Sequence, residues 1–420
     1  MTDLEWNSYT AALKSGNFIK LARLRFLNPD GTTAFSLDND PYNERSGAFI
    51  RGGSVSCNLQ NGQRWTASVT LENTDGSYDY NVNKVWFGTE IAVDMGLSTN
   101  GIELYFPMGV YRVGDPADCV AHNGRTASFA LKDKWAGLDG TLNGRLEASY
   151  AISEGTNIFT PIASVLQTDR GDGQPYDNVP PLFTEYYNGK TQSLADGTTA
   201  LLTDAPFQLI IDSEDGSVAD LILGLADMLV ALVGYDASGR LRIDPSQNDI
   251  LDSDKPVGWR FLLTENQILG QIDYKALIED VLNDYIVVGA MSDTYAQVGA
   301  RAQNLDPTSP TNVNKIGRRT KRESRPEYAT QRICEDYAVW TLKRQAALRQ
   351  SVSFSTNQIF HLAVNEIVEI VRTDLPNTPT ERHLVQGFTI PFSGTEPMTI
   401  NAVSVHDFPE ITVQTWPLAE

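Results

Sequence analysis

The chain is poor in the residues that usually carry chemistry. Its 420 residues hold three cysteines and four histidines. Cys57, Cys119 and Cys334 lie far apart, in odd number and with no CxxC spacing. That argues against a disulfide framework and a zinc site, and fits a reducing cytoplasm. His122, His361, His383 and His406 are scattered, and no HExxH, GxSxG, Walker loop or dinucleotide fingerprint occurs. Gly52-Gly53-Ser54-Val55-Ser56 approaches a nucleophile elbow but lacks its last glycine and sits in strand-like sequence. Acidic residues are too many for a glycosidase pair to be singled out. No motif asks for a cofactor or a metal, so no enzyme is expected. The most apolar run, VADLILGLADMLVALVGY (218–235), contains Asp220, Asp227 and an internal glycine. Two carboxylates are costly in a bilayer, so the run reads as a buried amphipathic helix and not as a membrane span. The N-terminal MTDLEWNSYTAALKSGN lacks the basic-then-apolar design of a secretion signal.

What is present is ordinary in amount and unusual in arrangement. The composition is 41% apolar and 20% charged, with a net charge of −20. The length suits two to four domains. A strongly acidic surface disfavours nonspecific binding to nucleic acid and anionic membrane. Two strand-rich stretches of similar character lie at the two ends. The first runs through GGSVSCNLQNGQRWTASVTLEN, IAVDMGL and GIELYFPMGVYRVGD (52–115). The second comprises VLNDYIVVGA (281–290), SVSFSTNQIFHLAVNEIVEIVR (351–372) and HLVQGFTIPFSGTEPMTINAVSV (383–405).

Local signals refine this picture. Residues 5–15 predict a helix closed by Ser15-Gly16, and Asn28-Pro29-Asp30-Gly31 predicts a hairpin turn. In RWTASVTLEN, Trp65, Ala67, Val69 and Leu71 alternate with polar residues, as in a half-buried strand. Thr160-Pro161 marks a helix start, and Ser217 a cap for a helix running to Gly234. A hairpin at Asp236–Gly239 then leads into RLRI. Residues 291–325 read as polar and irregular. A helix is predicted from Arg325 to Arg349, with Ser324 and Glu327 at capping-box spacing, Pro326 in the first turn, and an apolar stripe of Ile333, Tyr337, Trp340 and Leu348. The expected fold is mainly β with α/β. It has an N-terminal segment (1–17), a first β-domain (18–139), an α/β domain (140–268), a second β-domain (269–300 and 350–420), and a polar insertion with a helix (301–349).

The run from Gly53 to Asn73, then IAVDMGL, then FPMGVYRVGD, resembles the first tube domain of phage baseplate hub, or tail-associated (Tal-type), proteins. The order continues to match. ADLILGLADMLVALVGYDASGRLRIDP is similar to that family's helix and "D-x-x-G-r-l" hairpin, and DVLNDYIVVGA to its strand entering a second tube domain. The helix carrying Ala329, Ala338 and Leu342, with AVNEIVEIV downstream, is similar to a later family segment. The resemblance implies a homotrimer in which each chain gives two tube-like β-domains to a ring, joining a sixfold tube to a threefold tip. The α/β domains would sit outside that ring. It further implies a place at the distal end of the virion tail. The partners would be a distal tail protein ring, the tape measure protein, and tip or receptor-binding proteins, with DNA in transient passage and no membrane insertion. The acidic surface would then suit a wall that DNA slides past. The chain stops soon after the second β-domain, at Trp416-Pro417-Leu418, without the peptidase or fibre extension of many relatives. A cell-wall hydrolase is therefore not expected. A receptor- or glycan-binding tail protein and a distal tail ring component are the alternatives.

One segment stands out as a candidate interface. KIGRRTKRESR places Lys315, Arg318, Arg319, Lys321, Arg322 and Arg325 together in an otherwise acidic chain. It could bind an acidic neighbour, line a lumen, or be a solvated loop. Three other features read as turn chemistry: the tripeptide Arg170-Gly171-Asp172, and the acidic stretches Asp169–Gly173 and Asp212–Gly216. The last two lack the glutamate that closes a calcium loop.

Overall fold

The computed structural model describes residues 2–39, 50–79, 85, 89–121, 124–193, 198–214, 216–245, 255, 257–263, 267–290, 296–325, 328, 330–347, 349–392, 396–405 and 408–415. Helix α1 (Asp3–Ser15) opens with a capping box between Thr2 and Glu5 and closes on Gly16 in the left-handed region. Seven strands follow: β1 (Ile19–Leu27), β2 (Thr33–Asp38), β3 (Ile50–Asn58), β4 (Trp65–Glu72), β5 (Glu90–Thr99), β6 (Ile102–Ala121) and β7 (Gly124–Asp133). The Asn28–Gly31 turn joins β1 to β2 as expected. On β4, Trp65, Ala67, Val69 and Leu71 are the buried face, as their alternation predicts.

The middle of the chain is mixed. It holds β8 (Tyr150–Ile152), α2 (Phe159–Leu166), β9 (Leu182–Phe183), β10 (Thr191–Ser193), β11 (Thr199–Leu201), β12 (Leu209–Ile211), α3 (Val218–Met228), β13 (Ala231–Tyr235) and β14 (Leu241–Pro245). Helices α2 and α3 and the β13–β14 hairpin enclose a separate core that includes Ile162, Leu166, Leu221, Leu225, Val233 and Ile243. Ser217 caps α3, its hydroxyl accepting from the Asp220 N–H at 3.1 Å. The helix ends at Met228, however, and not at Gly234. Val230 takes a positive φ of 51°, and Ala231–Tyr235 pairs with β14. An unbroken apolar run does not separate a helix from the buried strand that follows it. At α2, Asn157 and not Thr160 supplies the first side-chain bond, accepting from Phe159 N–H at 3.1 Å.

The last part contributes β15 (Val257–Leu262), β16 (Ile268–Ala276), β17 (Asp284–Val288), β18 (Gly299–Asn304), α4 (Val313–Ile316), β19 (Thr320–Ser324), α5 (Gln331–Ala346), β20 (Gln350–Thr356), β21 (Ile367–Val371), β22 (Thr380–Pro391), β23 (Met398–Ser404) and β24 (Ile411–Thr415). The two β-regions fuse into a 13-stranded sheet ordered β16-β20-β23-β22-β3-β4-β7-β6-β5-β1-β2, with β21 pairing β22 and β15 pairing β21. A single apolar core runs through both, from Leu24, Val69 and Phe129 to Phe354, Phe388 and Ile400.

Three expectations for this region are corrected. The strand within 281–290 lies outside the second β-domain, in a four-stranded sheet ordered β19-β17-β18-β24 against α5. Its Tyr285 and Val287 are buried with Ile333, Cys334, Ala338 and Leu342 of that helix. Residues 291–325 are not wholly irregular, because β18, α4 and β19 fall among them. The helix expected from Arg325 starts at Gln331. Ser324 ends a strand, and Thr330 is the cap, accepting from Ile333 N–H at 3.3 Å. The buried stripe is Ile333, Cys334, Ala338, Thr341, Leu342 and Ala346, while Tyr337 and Trp340 are only half-buried. His122, Pro326, Glu327, Ala329, Leu348, His406 and Trp416–Leu418 lie outside the described residues.

Candidate assembly interface

The basic segment folds as the last turn of α4 and the edge strand β19. Four of its six cations hold the segment in place. Lys315 Nζ donates to the carbonyls of Pro307 and Ser309 at 2.7 and 3.0 Å. Arg319 donates through both terminal nitrogens to the carbonyls of Ile278 and Glu279, at 2.7 and 2.9 Å. Lys321 lies 3.5 Å from Glu323 and above the Tyr285 ring. Arg325 pairs with Glu323, donates to the Tyr337 hydroxyl at 3.1 Å, and comes within 3.9 Å of Asp227 on α3. It thereby ties this unit to the middle one. Burial pushes the Glu323 carboxyl up, but Tyr285, Arg325 and Lys321 outweigh it and hold it below its ordinary value. Asp284 behaves likewise. Burial opposes ionisation, while Arg301, Thr320 and the field of Arg318 prevail.

Arg318 and Arg322 are left over. Both are exposed, and Arg322 has no partner among the described residues. Among the described residues β19 pairs only with β17, which leaves its outer edge open. Charged residues on an edge discourage indiscriminate strand pairing and select a complementary partner.

Three joints that sequence patterns did not disclose hold the units together. The first is the β22–β3 ladder between the two β-domains, running from Gly387 opposite Asn58 to Pro391 opposite Ser54. Ser56 and Thr389 face each other in it, hydroxyl to hydroxyl at 2.8 Å. The serines of the elbow-like run thus sit in a flat strand, with no sharp turn to present a nucleophile. The second joint is a buried polar clamp between the first β-domain and the middle unit. Lys134 pairs with Asp177, both about fully buried, and Asp177 also accepts from the Tyr235 hydroxyl at 2.8 Å. Asp133 accepts from the N–H groups of Arg64, Trp65 and Trp135 at 2.8, 2.9 and 3.1 Å. The third joint is an aromatic cage of Trp6, Tyr9, Phe106 and Trp259 around His361. The Tyr9 hydroxyl accepts from Phe360 N–H and meets His361 Nδ1, each at 2.9 Å, while His361 Nε2 lies 3.0 Å from the Gly258 carbonyl. This pins α1 across both β-domains. No local pattern announced it, because Tyr9, Phe106, Trp259 and His361 lie far apart in the chain.

The remaining candidates have local explanations. In Arg170-Gly171-Asp172 the arginine pairs with the aspartate of the same tripeptide at 2.9 Å, so neither group is presented freely. Asp169 accepts from Gly171 and Gly173 N–H, as in a tight turn. Among the described residues no group of three potential metal ligands converges. His383 is buried against Glu381, at 3.4 Å. A cleft of about 700 Å³ between the units is lined by Trp65, Tyr235 and Phe360. These aromatics are at most 5% exposed, whereas a sugar platform would need open faces.

Two β-domains fused edge to edge, with smaller α/β units attached, form the fold of phage and prophage tail proteins. Solved structures with this architecture include the tail protein from Neisseria meningitidis MC58, at 9% identity and a TM-score of 0.58, covering 92% of this chain and 97% of that one. Another is the 43 kDa tail protein of prophage MuSo2 from Shewanella oneidensis, at 13% identity and a TM-score of 0.55, covering 92% and 98%. A chain of the Francisella PdpA-VgrG complex aligns at 8% identity and a TM-score of 0.50, with 99% of this chain spanning 57% of that one. No family model matches the sequence, and no curated protein matches it.

Proposed function

We propose that this protein is the non-catalytic hub of a phage-type tail. Three copies would form a pseudo-sixfold ring that caps the tube, anchors tip proteins, and opens for the tape measure and DNA. The observation that carries this reading is the fusion of two β-domains through β22 and β3 into one sheet, which among the described residues ends at β16 and β2. A unit that has already joined two tube-like modules needs two further copies to match six. The acidic surface suits passage of DNA without retention. The open edge at Arg318 and Arg322 suits docking of an acidic tail partner, such as a distal ring or tip protein. The open state would come from rearranged interfaces.

The test is antibody labelling of tails by electron microscopy. Label confined to the distal tip, away from the capsid, supports the hub. Label along the tube, or at the capsid-proximal end, refutes it. A receptor- or glycan-binding role predicts that the isolated chain adheres to host cells.

A further inference from the structure

Lysine seldom points into a core, yet Lys20 does. On β1 it stands on the face that carries Ala22, Leu24 and Phe26 into the core shared by the two β-domains. It is 8% exposed. Its ammonium donates to the carbonyl of Pro391, at the end of β22 in the other β-domain. Gln358, 5% exposed, converges on that same carbonyl. Its Nε2 donates to Pro391 O at 3.4 Å and to Glu396 O at 2.9 Å. The other end of that amide, Oε1, is buried with no hydrogen-bond partner among the described residues. A buried acceptor without a donor is costly in a native structure and asks for a group that supplies one.

Both side chains line a cavity of about 460 Å³ between the two β-domains. The start of β1 and Asn39 form one side, and Leu269, Asn357 and Glu396 the other. Water takes about 30 Å³ in the liquid, so there is room for a molecule of several heavy atoms. Among the described lining residues, Glu396 is the one charged group besides Lys20. Burial brings the Lys20 amine down to about 7, against the opposing pull of Glu396, so its neutral form is present at neutral pH. A neutral amide reaches the Pro391 carbonyl at less cost of burial than an ammonium, as Gln358 beside it does. What a lysine adds there is a nucleophile.

We propose that this cavity is a covalent site for a small hydroxyaldehyde, held on Lys20 as a Schiff base with a hydroxyl donating to Gln358 Oε1. The lysine nitrogen adds to the aldehyde carbon, and one of its protons moves to the carbonyl oxygen, giving a carbinolamine. The new hydroxyl leaves with the second nitrogen proton as water, and the C=N bond forms. No oxidant or reductant is consumed. Glu396 is the lining group able to carry these protons. The hydroxyl is required because Gln358, Asn357 and Glu396 offer polar contacts that an alkyl aldehyde leaves unmade. The site stands independently of the hub reading. Because its wall is drawn from both β-domains, an occupied site favours the folded, joined state.

The test is reductive trapping of the full chain with glycolaldehyde and cyanoborohydride at neutral pH, followed by peptide mass spectrometry. Lys20 should be labelled at least about tenfold faster than the exposed Lys14 on α1. That ratio should fall as the pH rises toward the ordinary lysine range. Acetaldehyde, which lacks the hydroxyl, should favour Lys20 over Lys14 less strongly. Gln358→Leu keeps the amine and removes the acceptor, and should erase this difference between the two aldehydes. Lys20 labelled no faster than Lys14, or labelled only in urea, overturns the covalent site in the native chain without recourse to a variant. Equal preference for glycolaldehyde and acetaldehyde overturns the hydroxyl contact at Gln358 and with it the assigned ligand class.

Discussion

Replacing Asp177 with alanine probes the clamp that holds the middle unit on the first β-domain. Lys134 and Asp177 are 1% and 0% exposed at their side chains, so neither charge has water to fall back on. Removing the carboxylate strands the Lys134 ammonium, whose other partner is the Gly239 carbonyl at 3.2 Å. It also takes the acceptor from the Tyr235 hydroxyl and from the Val179 N–H. Breaking one side of a buried pair typically destabilises by about 3–5 kcal/mol. The Asp177→Ala variant should lose that much in urea unfolding, followed by intrinsic tryptophan fluorescence. Lys134→Met combined with Asp177→Leu should recover most of the loss, because apolar replacement of a buried pair is close to neutral. A single-variant loss below about 1 kcal/mol would refute the clamp, as would a double variant no better than the single.

Further expectations follow from the other joints. Burial holds the His361 imidazole below its ordinary 6.5, so the folded chain binds fewer protons there than the unfolded one. The His361 contribution to stability is complete above pH 6.5 and is lost as the pH falls through the lowered value. The midpoint of thermal unfolding should therefore drop on acidification more steeply for the native chain than for His361→Gln, and parallel slopes would contradict this. Gly239 sits at φ +76°, and a Cβ there would meet Val110 at 2.5 Å. Gly239→Ala should cost about 1–3 kcal/mol through backbone strain and overpacking at the docked hairpin, and an unchanged unfolding curve would contradict the docking. Arg322→Glu should leave the melting temperature of the isolated chain unchanged but reduce its incorporation into tails, measured by complementation. Normal incorporation would remove this edge from the interface.

Fold class was legible in the sequence because alternation on strands such as β4 and turn chemistry at Asn28–Gly31 and Asp236–Gly239 are local signals. The α3 cap was equally legible, since Ser217 and Asp220 form a self-contained motif. The end of α3 was not, because Met228 to Tyr235 is apolar whether helical or extended, and pairing with β14 decides the matter. The placement of β17 was hidden for a similar reason. A short strand buried on both faces reads alike in either sheet, and α5, some 40 residues later in the chain, determines which one it joins. The basic segment could be located but not apportioned. The residues that anchor it and those left free differ only in distant partners such as Ile278 and Asp227. The likeness of the two β-regions was legible in their character, but the ladder that joins them was not, because β22 and β3 lie far apart in the chain and neither strand names its partner.

The most direct test of the hub is the mass of the purified full chain by native mass spectrometry, across a range of concentrations. The account predicts a species of three chains, near three times 46.3 kDa. A hexamer would point to a distal ring component, and a chain that stays monomeric at every concentration would contradict the trimeric hub.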